Sequence, residues 1–130
     1  MTRHGKALVI ILCALSFLIA TRKSSHAANW LFVVEDAGNK TYIDTDTIQV
    51  NKNMSTIKAS IKTTDAHGTN FVTLTIFNYK ERTFQGLQLT IYLPDGKSER
   101  TDRPDKITHI EPDSVGDSIL TKLLKITGIK

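Results

Sequence analysis

The chain has 130 residues, with 17 Lys and Arg against 13 Asp and Glu, for a formal net charge of +4. That length suits one domain and excludes a multidomain enzyme, and an apolar fraction of 40% is enough for a packed core. A single Cys excludes a disulfide scaffold, and the Gly and Pro content excludes a collagen-like chain.

Residues 1–6 are polar and basic, and residues 7–20 (ALVIILCALSFLIA) carry no charge. A basic start, an apolar run of 14 and then small residues form the pattern of a secretory signal peptide. Cleavage is expected after Ala27, at the small-x-small triplet Ser25-His26-Ala27, with Ala28 as the second candidate. The competing reading is a retained membrane anchor, which Arg22 and Lys23 behind the run would suit. A spanning helix needs about 20 apolar residues, and this run is shorter. Cys13 follows Leu12, whereas a lipoprotein signal places a small residue before its Cys; Cys13 is read as apolar filler lost with the leader. The expected organisation is a signal peptide at 1–27 and one domain at 28–130. The leader removes four cations and no acid, so the mature chain holds 13 of each. A nucleic-acid reading then loses its basis, because phosphate binding needs a clustered cation surplus.

In the mature chain, residues 30–34 (WLFVV) read as a strand, and Asp36-Ala37-Gly38-Asn39 as a turn. Residues 41–44 restart a strand that continues irregularly to Val50, and Asn51-Lys52-Asn53 is a further turn. Three segments then alternate with period two. In 56–62, Ile57, Ala59 and Ile61 alternate with Lys58, Ser60 and Lys62. In 71–79, Val72, Leu74 and Ile76 alternate with Thr73, Thr75 and Phe77; in 87–93, Leu87, Leu89, Ile91 and Leu93 alternate with Gln88, Thr90 and Tyr92. Such alternation predicts strands with one buried face. A bulge at Gly86 would place Phe84 on the face of Leu87. Pro94-Asp95-Gly96-Lys97 predicts a hairpin turn into a short strand at 98–101.

After Pro112 the period changes. Val115, Ile119, Leu120, Leu123 and Leu124 recur at helical spacing. Ser114 and Asp117 form a capping-box pattern, and Gly128 a stop. The predicted fold is α+β: a single six-stranded antiparallel β-sheet with one C-terminal α-helix packed on one face.

Chemistry-bearing motifs are absent. His67 and His109 stand 42 residues apart, without the short spacing of a metal helix. Asp44 and Asp46 resemble the start of a calcium loop, but Gln49 and Ser55 stand where its Gly and closing acid belong. Asp44 is read instead as ending a strand and tying a turn. There is no Gly-rich phosphate loop, nucleophile elbow or HExxH. The chain is therefore read as non-enzymatic, with no cofactor.

One helix leaves the second sheet face partly open. The alternation places Lys58, Lys62, Thr73, Thr75, Phe77, Tyr79, Thr90 and Tyr92 on it, and this is the candidate partner-binding face. Aromatic side chains there supply rigid contact area for a protein partner; a strand preference of Thr and Tyr is the competing explanation.

The order of features also carries a resemblance. Trp30-Leu31-Phe32-Val33-Val34 opens the mature chain, Tyr42-Ile43-Asp44 is followed by Thr47-Ile48, Tyr92 to Gly96 forms a hairpin, and Ile110-Glu111-Pro112-Asp113-Ser114 opens the helix. Over residues 29–126 this resembles the surface-adhesin protein E family of bacterial secreted proteins. The resemblance implies the same sheet-and-helix fold and a cell-envelope protein, exported to the periplasm or cell surface. It also implies binding of host extracellular-matrix proteins, as its named member does. Family members commonly tie helix to sheet with a Cys pair; here Val115, Leu120, Leu123 and Leu124 must hold the helix by packing. The alternative reading is a periplasmic structural or assembly module that self-associates as a homodimer and has no host ligand.

Overall fold

A computed structural model describes residues 28–130; the signal peptide expected at 1–27, with its Cys13, lies outside the described residues. The strands are β1 (Trp30–Asp36), β2 (Asn39–Asp44), β3 (Gln49–Asn51), β4 (Thr56–Thr64), β5 (Asn70–Asn78), β6 (Thr83–Tyr92), β7 (Ser98–Thr101) and β8 (Thr108–His109). One helix, α1 (Val115–Thr127), follows. All pairings are antiparallel, in the order β1-β2-β4-β5-β6-β7. Six strands thus form the main path, as expected, and two short strands complete the sheet: β3 on β4 and β8 on β6.

The turns follow from their residues. Ala37 and Gly38 both adopt positive φ (51° and 84°), the signature of a two-residue type I′ hairpin. Asp65 Oδ1 accepts the N–H groups of His67 and Thr69, and this closes the β4–β5 loop. Asn78 Oδ1 accepts those of Lys80 and Glu81 between β5 and β6. Asp95 Oδ1 accepts that of Lys97, beside Gly96 at φ 90°. Each short polar side chain replaces a ladder bond that the turning backbone cannot make.

Between β2 and β3 the chain makes a single 3-10 turn, Thr45–Thr47. Asp44 is buried, and its Oδ1 accepts the N–H groups of Asn29 at 3.0 Å and Asp46 at 3.1 Å. The Thr47 hydroxyl donates to the Asp44 carbonyl and accepts the N–H of Ser60 at 2.9 Å. It thereby fills the gap on β4 where β2 ends and β3 begins. Asp44 ties this turn as its sequence position predicts.

Helix α1 begins where its capping residues place it. Ser114 Oγ accepts the Asp117 N–H, and Asp117 reaches back to the Asp113 N–H. Gly128 ends the helix in the left-handed conformation at φ 72°, its N–H bonded to the Leu124 carbonyl. The helix buries Ile119, Leu120 and Leu123 against Ile43, Ile57, Ala59, Ile61, Phe77 and Ile110. Fully burying such a side chain contributes about 1.5–3 kcal/mol, which lets the helix hold without a covalent tie. No helix among the described residues is long and apolar enough to cross a membrane.

Candidate binding face

Strand register decides which residues face the helix. Ile57, Ala59 and Ile61 of β4 lie opposite Phe77, Thr75 and Thr73 of β5. The first three are core residues, so the second three share the helix side. Lys58, Ser60 and Lys62 lie opposite Ile76, Leu74 and Val72, and these six form the centre of the uncovered side.

This arrangement corrects half of the face expected from sequence. Phe77 is 1% exposed and Thr75 is 5% exposed, both beneath the helix. Thr73 shares their face, and Tyr79 packs against the core. None of these four belongs to the uncovered side. Lys58, Lys62, Thr90 and Tyr92 do lie on it, since Val72 pairs with Thr90 and Asn70 with Tyr92. The places that Thr73, Thr75 and Phe77 leave are taken by Val72, Leu74 and Ile76. Two details stabilise this arrangement of β5. The Thr75 hydroxyl donates to the Thr73 carbonyl, so its burial leaves no unpaired polar atom. Phe77 stacks on Phe84 with ring centroids 6.3 Å apart.

Gly86 does sit at a bulge. Leu74 faces Gln88 and Thr75 faces Gly86, so Leu87 is the extra residue. Phe84, opposite Phe77, comes onto the helix side with Leu89 and Ile91, opposite Thr73 and Phe71, because the phase changes at that extra residue. A Cβ on Gly86 would meet Asp105 Oδ2 at 2.9 Å and Thr73 Cγ2 at 3.1 Å. The 102–107 segment therefore crosses the sheet here because residue 86 has no side chain, and it is fastened by the Asp105 N–H to the Gly86 carbonyl at 2.8 Å.

The strongest feature of the uncovered face was missed in the sequence reading. Phe32 pairs with Tyr42, and Tyr42 with Lys62. Their rings meet edge to face at 5.7 Å between centroids. The Lys62 ammonium lies 4.6 Å from the Trp30 ring centre and 4.7 Å from that of Tyr42. Burial against them pulls its pKa below the ordinary lysine value. Phe32 remains 47% exposed. The available signal was that Trp30, Phe32 and Tyr42 share a parity across one hairpin, but strand-opening aromatics read equally well as core.

At the other end of β4 lies an open hollow of about 510 Å³. Its lining includes Gln49, Asn51, Lys52, Met54, Lys58 and Ile76, and no acid. On the helix side a second groove of about 340 Å³ runs beside α1, along Thr63, Thr73, Phe84, Gly86 and Ile119, with Asp105 at its border. His67 and His109 are both exposed. Among the described residues, no group of three or more His, Asp or Glu comes together to hold a metal ion.

The uncovered face can thus offer aromatic, aliphatic and ammonium contacts to a surface laid against it. Compared with known proteins, the chain matches no protein-family description, no curated protein and no solved structure.

Proposed function

We propose that the chain is a non-enzymatic cell-envelope binding protein of the surface-adhesin protein E kind, acting by protein–protein contact through the uncovered sheet face. The observation that carries this reading is the cluster of Trp30, Phe32 and Tyr42 around Lys62, with Phe32 about half exposed at the sheet edge. Tyr and Trp are the residues that dominate protein interfaces, because they bring large area with few rotatable bonds. The basic start and 14-residue apolar run support export to the envelope. Host extracellular-matrix proteins are the partner class that the family resemblance brings.

The test is capture of purified extracellular-matrix proteins by cells exporting the wild-type chain or Phe32→Ser, with protease shaving of the same intact cells. The reading expects shaving to remove the domain, and capture to fall in the variant. Protection until the outer membrane is opened would end the host-contact reading. A dimer that Phe32→Ser converts to monomer, seen by light scattering, would favour the self-associating envelope module instead.

A further inference from the structure

The uncovered side of the sheet carries a surplus of cations. On the uncovered side the register and alternation place Lys40, Lys58, Lys62 and Arg100. Lys52 adds a fifth cation at the hollow. Four acids border that side: Glu35, Asp44, Glu81 and Asp102, of which Glu81 lines a small hollow with Thr56, Ile76 and Gln85 at the end of β5. Glu35 faces Lys40 at the outer strand, and Asp44 is buried with its carboxylate taken up by backbone N–H groups. Asp102 pairs with Arg100 beyond the last strand. The mature chain carries equal numbers of both signs, so this surplus is a property of the face and not of the composition.

We propose that the uncovered face takes an acidic, extended polypeptide segment of its partner, laid along β4 from the hollow to the aromatic cluster. This rests on the binding reading above and names the chemistry of the partner. Lys58 and Lys62 are separated by four residues of strand, about 13 Å, which is also the reach of four residues in an extended ligand. Carboxylates at that spacing meet both ammonium groups. The ligand's apolar side chains rest on Ile76, Leu74 and the exposed Met54, while Gln49 and Ser60 offer polar partners to its backbone. The same composition disfavours polyphosphate and sulfated glycan. Those ligands carry closely spaced charge and few apolar groups, whereas here isolated Lys residues alternate with aliphatic ones that a polypeptide's apolar side chains can cover.

The experiment uses the exported protein and Trp30, its single tryptophan, as an intrinsic reporter. It is titrated at low salt with a blocked peptide of alternating Glu and Val, with the matching Lys and Val peptide, with heparin, and with anionic phospholipid vesicles. The expected result is a change in Trp30 emission with the acidic peptide alone. The double variant Lys52→Glu with Lys58→Glu should weaken it at least about fivefold, as loss and reversal of two exposed charge contacts would. Lys52→Arg with Lys58→Arg should retain it, which controls for folding. Absence of acidic-peptide binding, binding unchanged by charge reversal, or tighter binding of heparin or vesicles would each overturn the proposal. If matrix-protein capture remains sensitive to Phe32→Ser while the acidic peptide fails, the binding reading stands and the acidic-segment proposal falls. If the peptide binds and no matrix protein is captured, the acidic-segment proposal stands and the host reading falls.

Discussion

Phe32 and Phe77 are both strand phenylalanines, yet the sheet gives them opposite fates. Phe77 is sealed between the helix and Phe84; Phe32 stands half exposed beside Tyr42. Truncating a buried Phe costs about 3–5 kcal/mol, because transfer and cavity costs add. Phe77→Ser should therefore unfold the domain or lower its melting temperature sharply, whereas Phe32→Ser should cost less than about 1 kcal/mol. Thermal melts of the two variants check this, and near-equal losses would mean that β5 has been placed in the wrong phase. Asp117 supplies a second residue-scale prediction. The N–H of Asp113 and then the guanidinium of Arg82 hold its carboxyl below the usual carboxylate range. A depressed folded pKa contributes stability above the unfolded value, and that contribution is lost as pH falls through the folded one. Asp117→Asn should therefore flatten the acid limb of a melting-temperature profile below about pH 4, while leaving the pH dependence near neutrality unchanged.

At the scale of elements, two joints decide the architecture. The first is the β6 bulge. Gly86→Ala puts a methyl group against Asp105 and Thr73. It should destabilise the domain by about 1–3 kcal/mol, and Asp105→Ala in the same chain should recover part of the loss in denaturant unfolding. The second is the helix start, where Ser114→Ala removes the acceptor for Asp117 N–H and should cost about 1 kcal/mol. Both joints were legible in the sequence: Gly86 as a bulge, and Ser114, Asp117 and Gly128 as the ends of a helix. The strands of β4 and β6 were legible too, because Lys alternates with Ile in one and Thr with Leu in the other. The phase of β5 was not. Val72, Leu74 and Ile76 look more like core than Thr73 and Thr75, and local hydrophobicity points them inward. The register across Thr64 and Asn70, fixed by the Asp65 turn, overrides that preference. The aromatic cluster was illegible for a related reason. Trp30, Phe32, Tyr42 and Lys62 meet only once three strands are aligned, and no single strand holds more than two of them.

At the scale of the whole molecule, one helix covers one side of a sheet whose other side is aliphatic along its middle and aromatic at one edge, with Lys58 and Lys62 along β4. The helix side carries the stability, so substitutions on the uncovered side should change binding with little change in folding. The most direct test of that division is a titration of the isotope-labelled chain with the acidic peptide, followed by backbone amide shifts and the Trp30 indole signal. The account predicts perturbations concentrated at Trp30, Tyr42, Lys58, Lys62 and Ile76, with the amides of α1 unmoved. Perturbations gathered along α1 and the groove beside Thr73 and Asp105, or none anywhere, would contradict it.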